Sequence, residues 1–313
     1  MNWLTPASAA MLAVVSLPLS NQVTGDDGPQ PVDLIKLERD HYNRMTVPVT
    51  IDQHGPYRFM IDTGAEATVL SRDIADNLGL FEREPAKLVA MASKRDIETA
   101  FIPNLRLGSR KFDIQTAPLV ERANIGSADG VLGLDSLQNQ RVLLDFTNDR
   151  ITVSDAKEQG GNRGYEVVVN ARRKLGQLII TRAYFDNVRV AVIVDTGAQG
   201  SIGNAALMRR LRGQNAGPTQ TVDINGVLAD GHARVAKKVE IGRAMFNNIP
   251  VNFIESPVFR QLGLEDEPAM VLGMNELRLF RRVAIDFKQR KVLFDVERGS
   301  RPAGEVGQRS LGL

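Results

Sequence analysis

The four residues DTGA occur twice in this chain, at positions 62–65 and 195–198. Each copy follows a run of apolar residues, so each aspartate comes directly after a predicted buried strand. A single match to so short a string is weak evidence. Two copies in the same context instead indicate a duplicated structural unit, because an internal repeat places equivalent residues at equivalent positions of two similar folds.

The two copies belong to longer repeats. A VLG triplet follows the first DTGA string at positions 131–133, and another follows the second at positions 271–273. A pair of apolar segments carrying the dipeptide DF comes next, with Asp145 and Asp286 at equivalent places. Since the order of these features is the same in both halves, the sequence predicts two similar lobes, with loop insertions that account for small changes in spacing.

Composition excludes several classes of function. The 313 residues include no cysteine, which excludes a thiol nucleophile, a zinc site built on cysteine and a disulfide framework. Acids and bases are interspersed, with a net charge of +2, so neither nucleic acid nor an anionic membrane is predicted as a partner. His41, His54 and His232 lack the spacing of a metal site, and we predict neither a metal nor another cofactor.

The N-terminal segment, residues 1–28, differs from the rest. Its apolar run at residues 6–19 is too short for a membrane-spanning helix, but its length suits the core of an export signal, with cleavage near residues 16–20. Neither lysine nor arginine precedes Lys36, so the basic start of such a signal is missing. We predict export to the periplasm or the medium; the alternative is a disordered arm on a cytoplasmic protein.

Short strands and frequent turns predict an all-β fold of two small closed barrels with a few short helices, related by a pseudo-twofold axis. In each lobe a hairpin should lead into the DTGA turn, through strands Met45–Ile51 and 57–61 in the first lobe and 178–185 and Val188–Val194 in the second. Short helices should follow at 72–78, capped by Ser71, and at 205–211, capped by Asn204. The predicted organisation is a first lobe at 34–154, a linker at 155–164, a second lobe at 165–296 and a disordered tail at 297–313.

An aspartate on a sharp turn after a buried strand is held rigidly. If the two turns face each other across the axis, the carboxylates of Asp62 and Asp195 come so close that both cannot ionise, and they share one proton. Such a pair can deprotonate water and protonate a carbonyl oxygen, which is general acid–base hydrolysis without a covalent intermediate. The hydroxyl groups of Thr63 and Thr196 are suited to bonding across the interface, and Gly64 and Gly197 permit the turn.

These paired motifs resemble those of the retropepsin-like aspartic proteases, in a form duplicated and fused into one chain. The resemblance covers about residues 45–294 and implies an aspartic endopeptidase that cleaves a polypeptide substrate. It implies that Asp62 and Asp195 are the catalytic pair. It also implies supporting residues in the two turns (Thr63, Gly64, Ala65, Thr196, Gly197, Ala198) and in the two VLG strands (Val131, Leu132, Gly133, Val271, Leu272, Gly273).

The chain departs from the pepsin-type pattern in its candidate flap hairpins. The first, at 88–102, has neither the tyrosine of that pattern nor a glycine, whereas the second, at 221–235, contains Gly226 and Gly231. Either hairpin, or both, could therefore close over a substrate.

Two alternatives remain open at the level of sequence. The fold could serve as a catalytically silent binding or scaffolding protein, although two intact motifs argue against that. Each lobe could also pair with a lobe of another chain. We predict a monomer in which the two lobes form an intramolecular pseudo-dimer.

Overall fold

The computed structural model describes residues 45–138, 140–155, 161–211 and 215–296, together with the backbone of four short strands near the N-terminus. Those four strands are β1 (Ser8–Ala9), β2 (Ala13–Ser16), β3 (Asp33–Lys36) and β4 (Glu38–Arg39). The first lobe contains β5 (Met45–Ile51), β6 (His54–Ile61), β7 (Val69–Ser71), β8 (Arg83–Ala90), β9 (Lys94–Leu107), β10 (Arg110–Val120), β11 (Gly130–Leu132), β12 (Gln140–Asp145) and β13 (Arg150–Asp155). The second lobe contains β14 (Val167–Lys174), β15 (Gln177–Phe185), β16 (Val188–Val194), β17 (Ser201–Gly203), β18 (Asn215–Val222), β19 (Leu228–Ile241), β20 (Ala244–Phe253), β21 (Ala269–Leu272), β22 (Arg282–Asp286) and β23 (Lys291–Asp295). The helices are short: α1 (Arg72–Asn77), α2 (Leu134–Leu137), α3 (Ala205–Arg210), α4 (Pro257–Gln261) and α5 (Met274–Leu277), with a 3₁₀ turn at Arg122–Ile125.

Each lobe contains a closed barrel of six strands. In the first lobe the strand order is β5-β6-β11-β7-β10-β9, and β9 pairs back to β5. In the second lobe the order is β15-β16-β21-β17-β20-β19, and β19 pairs back to β15. The same order in both lobes confirms the predicted all-β, two-lobed fold. Closure of the ring also pairs strand edges that would otherwise be exposed.

A shared sheet joins the lobes in the order β14-β23-β22-β12-β13-β3. At its centre β12 runs antiparallel to β22, and Leu143 pairs with Ala284. These two residues are equivalent in the repeats, since they lie two positions before Asp145 and Asp286. A residue that pairs with its own counterpart lies on the symmetry axis, so the pseudo-twofold axis passes through this point of the sheet.

Tight turns connect the strands that lead to each DTGA string. Asp52 and Gln53 between β5 and β6 have φ of 43° and 72°, and Asp186 and Asn187 between β15 and β16 have φ of 44° and 68°. Two successive residues with positive φ are typical of the hairpin turn whose twist matches that of the strands. The first turn is shorter than the interval 52–56 left between the predicted strands, because β6 already begins at His54.

The helix predictions hold with small changes. Both helices end one residue earlier than predicted, and the Asn204 side chain caps α3 by accepting a hydrogen bond from the Leu207 N–H at 2.8 Å. The predicted cap by Ser71 is wrong: Ser71 occupies the N-cap position of α1 but its hydroxyl makes no capping bond. Ser71 ends the buried strand β7, and this fixes its side chain within the lobe.

The predicted terminal segments lie largely outside the described residues. The tail at 297–313 and the middle of the linker, 156–160, are among them, and so is the export signal apart from β1 and β2. Strand β13 ends at Asp155, the first residue of the predicted linker, and strand β14 begins at Val167, after its end. Among the described residues, no helix combines the length and apolar character needed to span a bilayer.

Candidate active site

Both DTGA loops begin where a central barrel strand ends. Strand β6 ends at Ile61 and β16 at Val194, and the VLG strands β11 and β21 run parallel beside them. The Asp62 N–H donates to the Leu132 carbonyl at 3.0 Å, and the Asp195 N–H donates to the Leu272 carbonyl at 3.1 Å. Each aspartate is therefore anchored to its VLG strand by the backbone, while its side chain points away from the barrel strand.

The glycine of each VLG triplet permits a close approach of two backbones. A Cβ atom at Gly133 would lie 2.4 Å from the Ala67 carbonyl oxygen, and one at Gly273 would lie 2.5 Å from the Gly200 carbonyl oxygen. Backbone atoms cannot move aside as a side chain can. Glycine therefore fits at these two positions, whereas any other residue would require the backbone to rearrange. The predicted supporting strands thus lie directly against the DTGA loops.

The two carboxyl groups meet at the interface between the lobes. In each, Oδ1 accepts hydrogen bonds from the backbone N–H groups two and three residues later, at 2.8 and 3.0 Å for Asp62 and at 2.7 and 3.1 Å for Asp195. Each Oδ2 is buried and receives no backbone N–H or hydroxyl group from the described residues. Asp62 Oδ2 lies against Gly197 of the opposite DTGA loop, so the two carboxyls are close enough to interact electrostatically.

Burial sets the ionisation of the pair. It raises the pKa of Asp62 well above its ordinary value, and the charge of Asp195 raises it further. Burial also raises the pKa of Asp195, while the hydrogen bond with Asp62 and the backbone N–H groups act in the opposite direction. The two groups titrate as one unit, and that unit retains a single proton to a higher pH than an isolated aspartate would.

Thr63 and Thr196 tie the two loops together by a symmetric network. The Thr63 hydroxyl donates to the Val194 carbonyl at 2.9 Å and accepts from the Thr196 N–H at 3.2 Å. The Thr196 hydroxyl donates to the Ile61 carbonyl at 2.7 Å and accepts from the Thr63 N–H at 3.1 Å. All four bonds cross the lobe interface, so they hold the aspartates at a set separation.

We expect Thr196→Val to lower the free energy of unfolding by about 2 kcal/mol, since valine keeps the shape but removes two hydrogen bonds and leaves the buried Thr63 N–H unpaired. Thr99→Val is the matched control: this hydroxyl is equally buried but makes one bond, to the Glu84 carbonyl, within the first lobe. Denaturant unfolding measures both. Equal decreases in the free energy of unfolding of the two variants would show that the cross-lobe hydrogen bonds stabilise the protein no more than a single bond within one lobe.

A second pair of hydroxyls, which the sequence reasoning missed, supports each loop from behind. The Thr68 hydroxyl accepts from the Gly133 N–H at 3.1 Å and donates to Asp135 at 2.6 Å. The Ser201 hydroxyl accepts from the Gly273 N–H at 3.2 Å and donates to Glu276 at 2.6 Å. Thr68 and Ser201 each lie six positions after the aspartate of their own lobe, so the repeat spacing was the signal that could have found them.

Glu276 makes the stability of the second lobe depend on pH. Burial raises its pKa to about 7 from an ordinary 4.5, so the folded state favours the neutral form. The contribution of this carboxyl to the free energy of unfolding is fully present below pH 4.5 and is lost as the pH rises through 7. Glutamine is neutral at every pH. Between acidic and mildly alkaline pH, we therefore expect the free energy of unfolding of Glu276→Gln to fall by about 2 to 3 kcal/mol less than that of the wild type.

Unfolding free energies at acidic and at mildly alkaline pH test this expectation. Other buried carboxyls titrate too, so the difference between wild type and variant is the relevant quantity. Glu255→Gln, on an exposed side chain, is the control and should follow the wild type. A Glu276→Gln protein with the full wild-type dependence on pH would contradict the assignment.

Both predicted hairpins reach the site and their tips touch. They are formed by β8 with β9 and by β18 with β19, with tips at residues 91–93 and 223–227. Asp223 accepts hydrogen bonds from the Ala92 N–H at 3.0 Å and from the Ser93 hydroxyl at 2.7 Å, and Asn225 donates to the same hydroxyl at 2.9 Å. The two hairpins differ in glycine content, but their tips contact each other. Neither hairpin therefore covers the site alone.

The hairpin tips exchange apolar side chains between lobes. Met91 of the first hairpin is buried in a cluster that contains Ala198 of the second DTGA loop. Ile224 of the second hairpin is buried in a cluster that contains Ala65 of the first. Met91 and Ile224 have the same separation in sequence as the two aspartates, so this crossed arrangement follows the pseudo-twofold axis. Each hairpin tip thus belongs to the same apolar cluster as the DTGA alanine of the opposite lobe.

Comparison with known families assigns each lobe separately. Residues 47–139 match the family described as gag-polyprotein putative aspartyl protease, and residues 181–275 match the family described as aspartyl protease. Each match contains one DTGA string and one VLG triplet, and together they cover more than half of the chain. No curated protein matches the chain. The chain therefore contains two aspartyl protease domains in tandem, one in each lobe, an arrangement consistent with a two-lobed retropepsin-like aspartic protease.

Proposed function

We propose that the chain is an aspartic endopeptidase in which Asp62 and Asp195 activate a water molecule to hydrolyse peptide bonds. The observation that carries this proposal is the pair of buried carboxyls on the two DTGA loops, where Asp62 Oδ2 lies against Gly197 of the opposite lobe. Both come from one chain, and the bonds of Thr63 and Thr196 connect its own two lobes. The proposed active unit is therefore a monomer.

The proposed reaction cycles one proton through the pair. The ionised carboxyl takes a proton from water while the protonated one donates to the carbonyl oxygen of the substrate, and the water oxygen bonds to the carbonyl carbon. The resulting tetrahedral diol then collapses: a carboxyl removes a hydroxyl proton, the C–N bond breaks and the leaving nitrogen receives a proton. The pair ends with one proton, as it began, and no covalent intermediate with the protein forms.

The backbone N–H groups of the DTGA loops have a positioning role in this scheme. They hold each Oδ1 in place and leave both Oδ2 atoms at the lobe interface. The supporting glycines allow the VLG strands to lie against the loops, so the separation of the carboxyls is determined by rigid backbone. Such pre-organisation lowers the cost of reaching the transition state.

A library of unstructured peptides, incubated with the purified protein from about pH 3 to about pH 8, tests the function. We expect several turnovers per protein molecule, with more activity in acid than at alkaline pH because the pair must retain one proton. Asp195→Asn protein prepared in parallel detects contaminating proteases. If the folded wild type cleaves no peptide at any pH, the chain is a silent binding protein instead.

A further inference from the structure

The side chain of Gln177 crosses the lobe interface and contacts the first DTGA loop. Gln177 is the first residue of β15, in the second lobe, and its side chain is fully buried. Its Nε2 donates a hydrogen bond to the Gly64 carbonyl at 2.7 Å. Within the described part of the chain, no backbone N–H group donates to this carbonyl. Gln177 therefore provides the hydrogen bond that the carbonyl receives from the opposite lobe.

A tight hairpin turn places Gln177 at the interface. Leu175 and Gly176, between β14 and β15, have φ of 48° and 81°, and Gln177 follows them directly. The turn packs on α2 of the first lobe, where a Cβ atom at Gly176 would lie 3.1 Å from Cδ1 of Leu134. Because strand pairing and this packing fix the backbone, the side chain of Gln177 extends from a rigid position.

The peptide unit that Gln177 contacts also binds the carboxyl of Asp62. Its other end is the Ala65 N–H group, which donates to Oδ1 of Asp62 at 3.0 Å. In a trans peptide unit the C=O and N–H groups point in opposite directions, so the two hydrogen bonds lie on opposite sides of one rigid plane. A hydrogen bond accepted by the carbonyl polarises the unit and makes its N–H group a stronger donor. Gln177 thus acts on Asp62 through a continuous chain of two hydrogen bonds.

Stability alone does not explain the glutamine at this position. The Oε1 atom of Gln177 is buried and receives no hydrogen bond from the described residues. A buried acceptor without a donor destabilises a fold, and an apolar side chain of similar shape, such as methionine, avoids that cost. The Gly64 carbonyl, in contrast, can only accept, so the bond to it requires a side chain with a donor.

The Ala65 N–H group affects the ionisation of Asp62. Burial raises the pKa of Asp62, and Asp195, the charged side chain that acts on it among the described residues, raises it further. The N–H groups of Gly64 and Ala65 lower this pKa because they bind the charged form. Loss of the Gln177 bond weakens the Ala65 donor, so the pair of aspartates should lose its first proton at a higher pH.

We propose that Gln177 is a positioning residue, whose side-chain amide holds the peptide plane between Gly64 and Ala65 and, through that plane, the carboxyl of Asp62. Its effect on peptide hydrolysis rests on the proposed function. Gln177 belongs to the second lobe and acts on the aspartate of the first. The geometry of the pair therefore depends on how the lobes dock as well as on the DTGA loops. In this role Gln177 transfers no proton.

Gln177→Met is the first test, since methionine keeps the length of the side chain but cannot donate. We expect kcat for a library peptide to fall about ten-fold with little change in KM, because the reacting carboxyl is affected and substrate binding is not. The acidic limb of kcat/KM should move to higher pH by about half a unit. Gln140→Met is the matched control: this glutamine is also buried with an unpartnered Oε1, but it begins β12 in the shared sheet. The control should retain the wild-type kcat and pH profile.

Gln177→Glu separates the hydrogen bond from the shape of the side chain. In acid its neutral carboxyl can donate to the Gly64 carbonyl, so kcat should approach the wild-type value there and fall below it as the carboxyl ionises at higher pH. Denaturant unfolding confirms that each variant is folded. A folded Gln177→Met protein with the wild-type kcat and an unshifted acidic limb overturns this inference and leaves the proposed function standing.

Titration of Asp62 itself provides a measurement that requires no activity. In protein made with isotope-labelled aspartate, the nuclear magnetic resonance signal of the Asp62 carboxyl carbon is identified by its absence from Asp62→Asn. We expect this signal to titrate at a higher pH in Gln177→Met than in the wild type. If the wild type cleaves no peptide, the proposed function is wrong, but this titration still decides whether Gln177 holds Asp62. An unchanged titration overturns the inference whether or not the protein is active.

Discussion

Asp195→Asn is expected to lower kcat/KM for peptide hydrolysis by at least about 1000-fold, because an amide can neither take a proton from water nor return one. Asn can still accept the N–H bonds of Gly197 and Ala198 through its oxygen, so the loop should keep its shape. Asp62→Asn should have an effect of the same size. The proposed mechanism divides one proton between the two carboxyls, so we expect the loss of either member to disable the pair.

Initial rates with a peptide from the library measure this loss. Asp96→Asn, on a highly exposed side chain, controls for the substitution itself and should retain wild-type activity. Denaturant unfolding should show that both dyad variants remain folded. A folded Asp195→Asn protein within about ten-fold of wild-type activity would be incompatible with catalysis by this pair.

The repeat in the sequence was sufficient to predict the fold and the pairing of the aspartates. Equivalent residues at a constant spacing imply two similar lobes, and two similar lobes place Asp62 and Asp195 at equivalent turns. One strand in each of the hairpins that lead to those turns was predictable for a local reason: Met45–Ile51 and Val188–Val194 are apolar runs bounded by turn residues. Both strands have the predicted bounds.

Features that depend on how the lobes meet could not be predicted in this way. The contact of Asp223 with Ala92 joins residues of different lobes, and nothing in either local sequence requires it. The burial of Glu276 within the second lobe could not be predicted either, because a glutamate in a short helix usually faces solvent, whereas here α5 packs against the second DTGA loop. The export signal predicted from the apolar run at residues 6–19 stays a prediction, because most of the N-terminal segment lies outside the described residues.

Gly197→Ala is expected to reduce kcat/KM at least about 100-fold without breaking the fold. A Cβ atom at Gly197 would lie 2.2 Å from Oδ2 of Asp62, in the opposite lobe, and 2.4 Å from its Cγ. That carboxyl must therefore move by about 1 Å, and a displacement of this size at reacting groups costs about 100-fold in rate. Gly197 does not have a positive φ, so alanine introduces no strain in its own backbone.

Gly200→Ala in the same loop separates this steric effect from a general intolerance of alanine. Its Cβ would lie 3.6 Å from Asn275 Nδ2, an ordinary contact, and we expect activity close to wild type. The dependence of kcat/KM on pH is a further measurement, which a loss of folded protein would not change. Displacement of Asp62 weakens its electrostatic coupling to Asp195, so the acidic limb of this profile should shift in Gly197→Ala. Equal activity in the two alanine variants would mean that Asp62 does not lie against the opposite loop during catalysis.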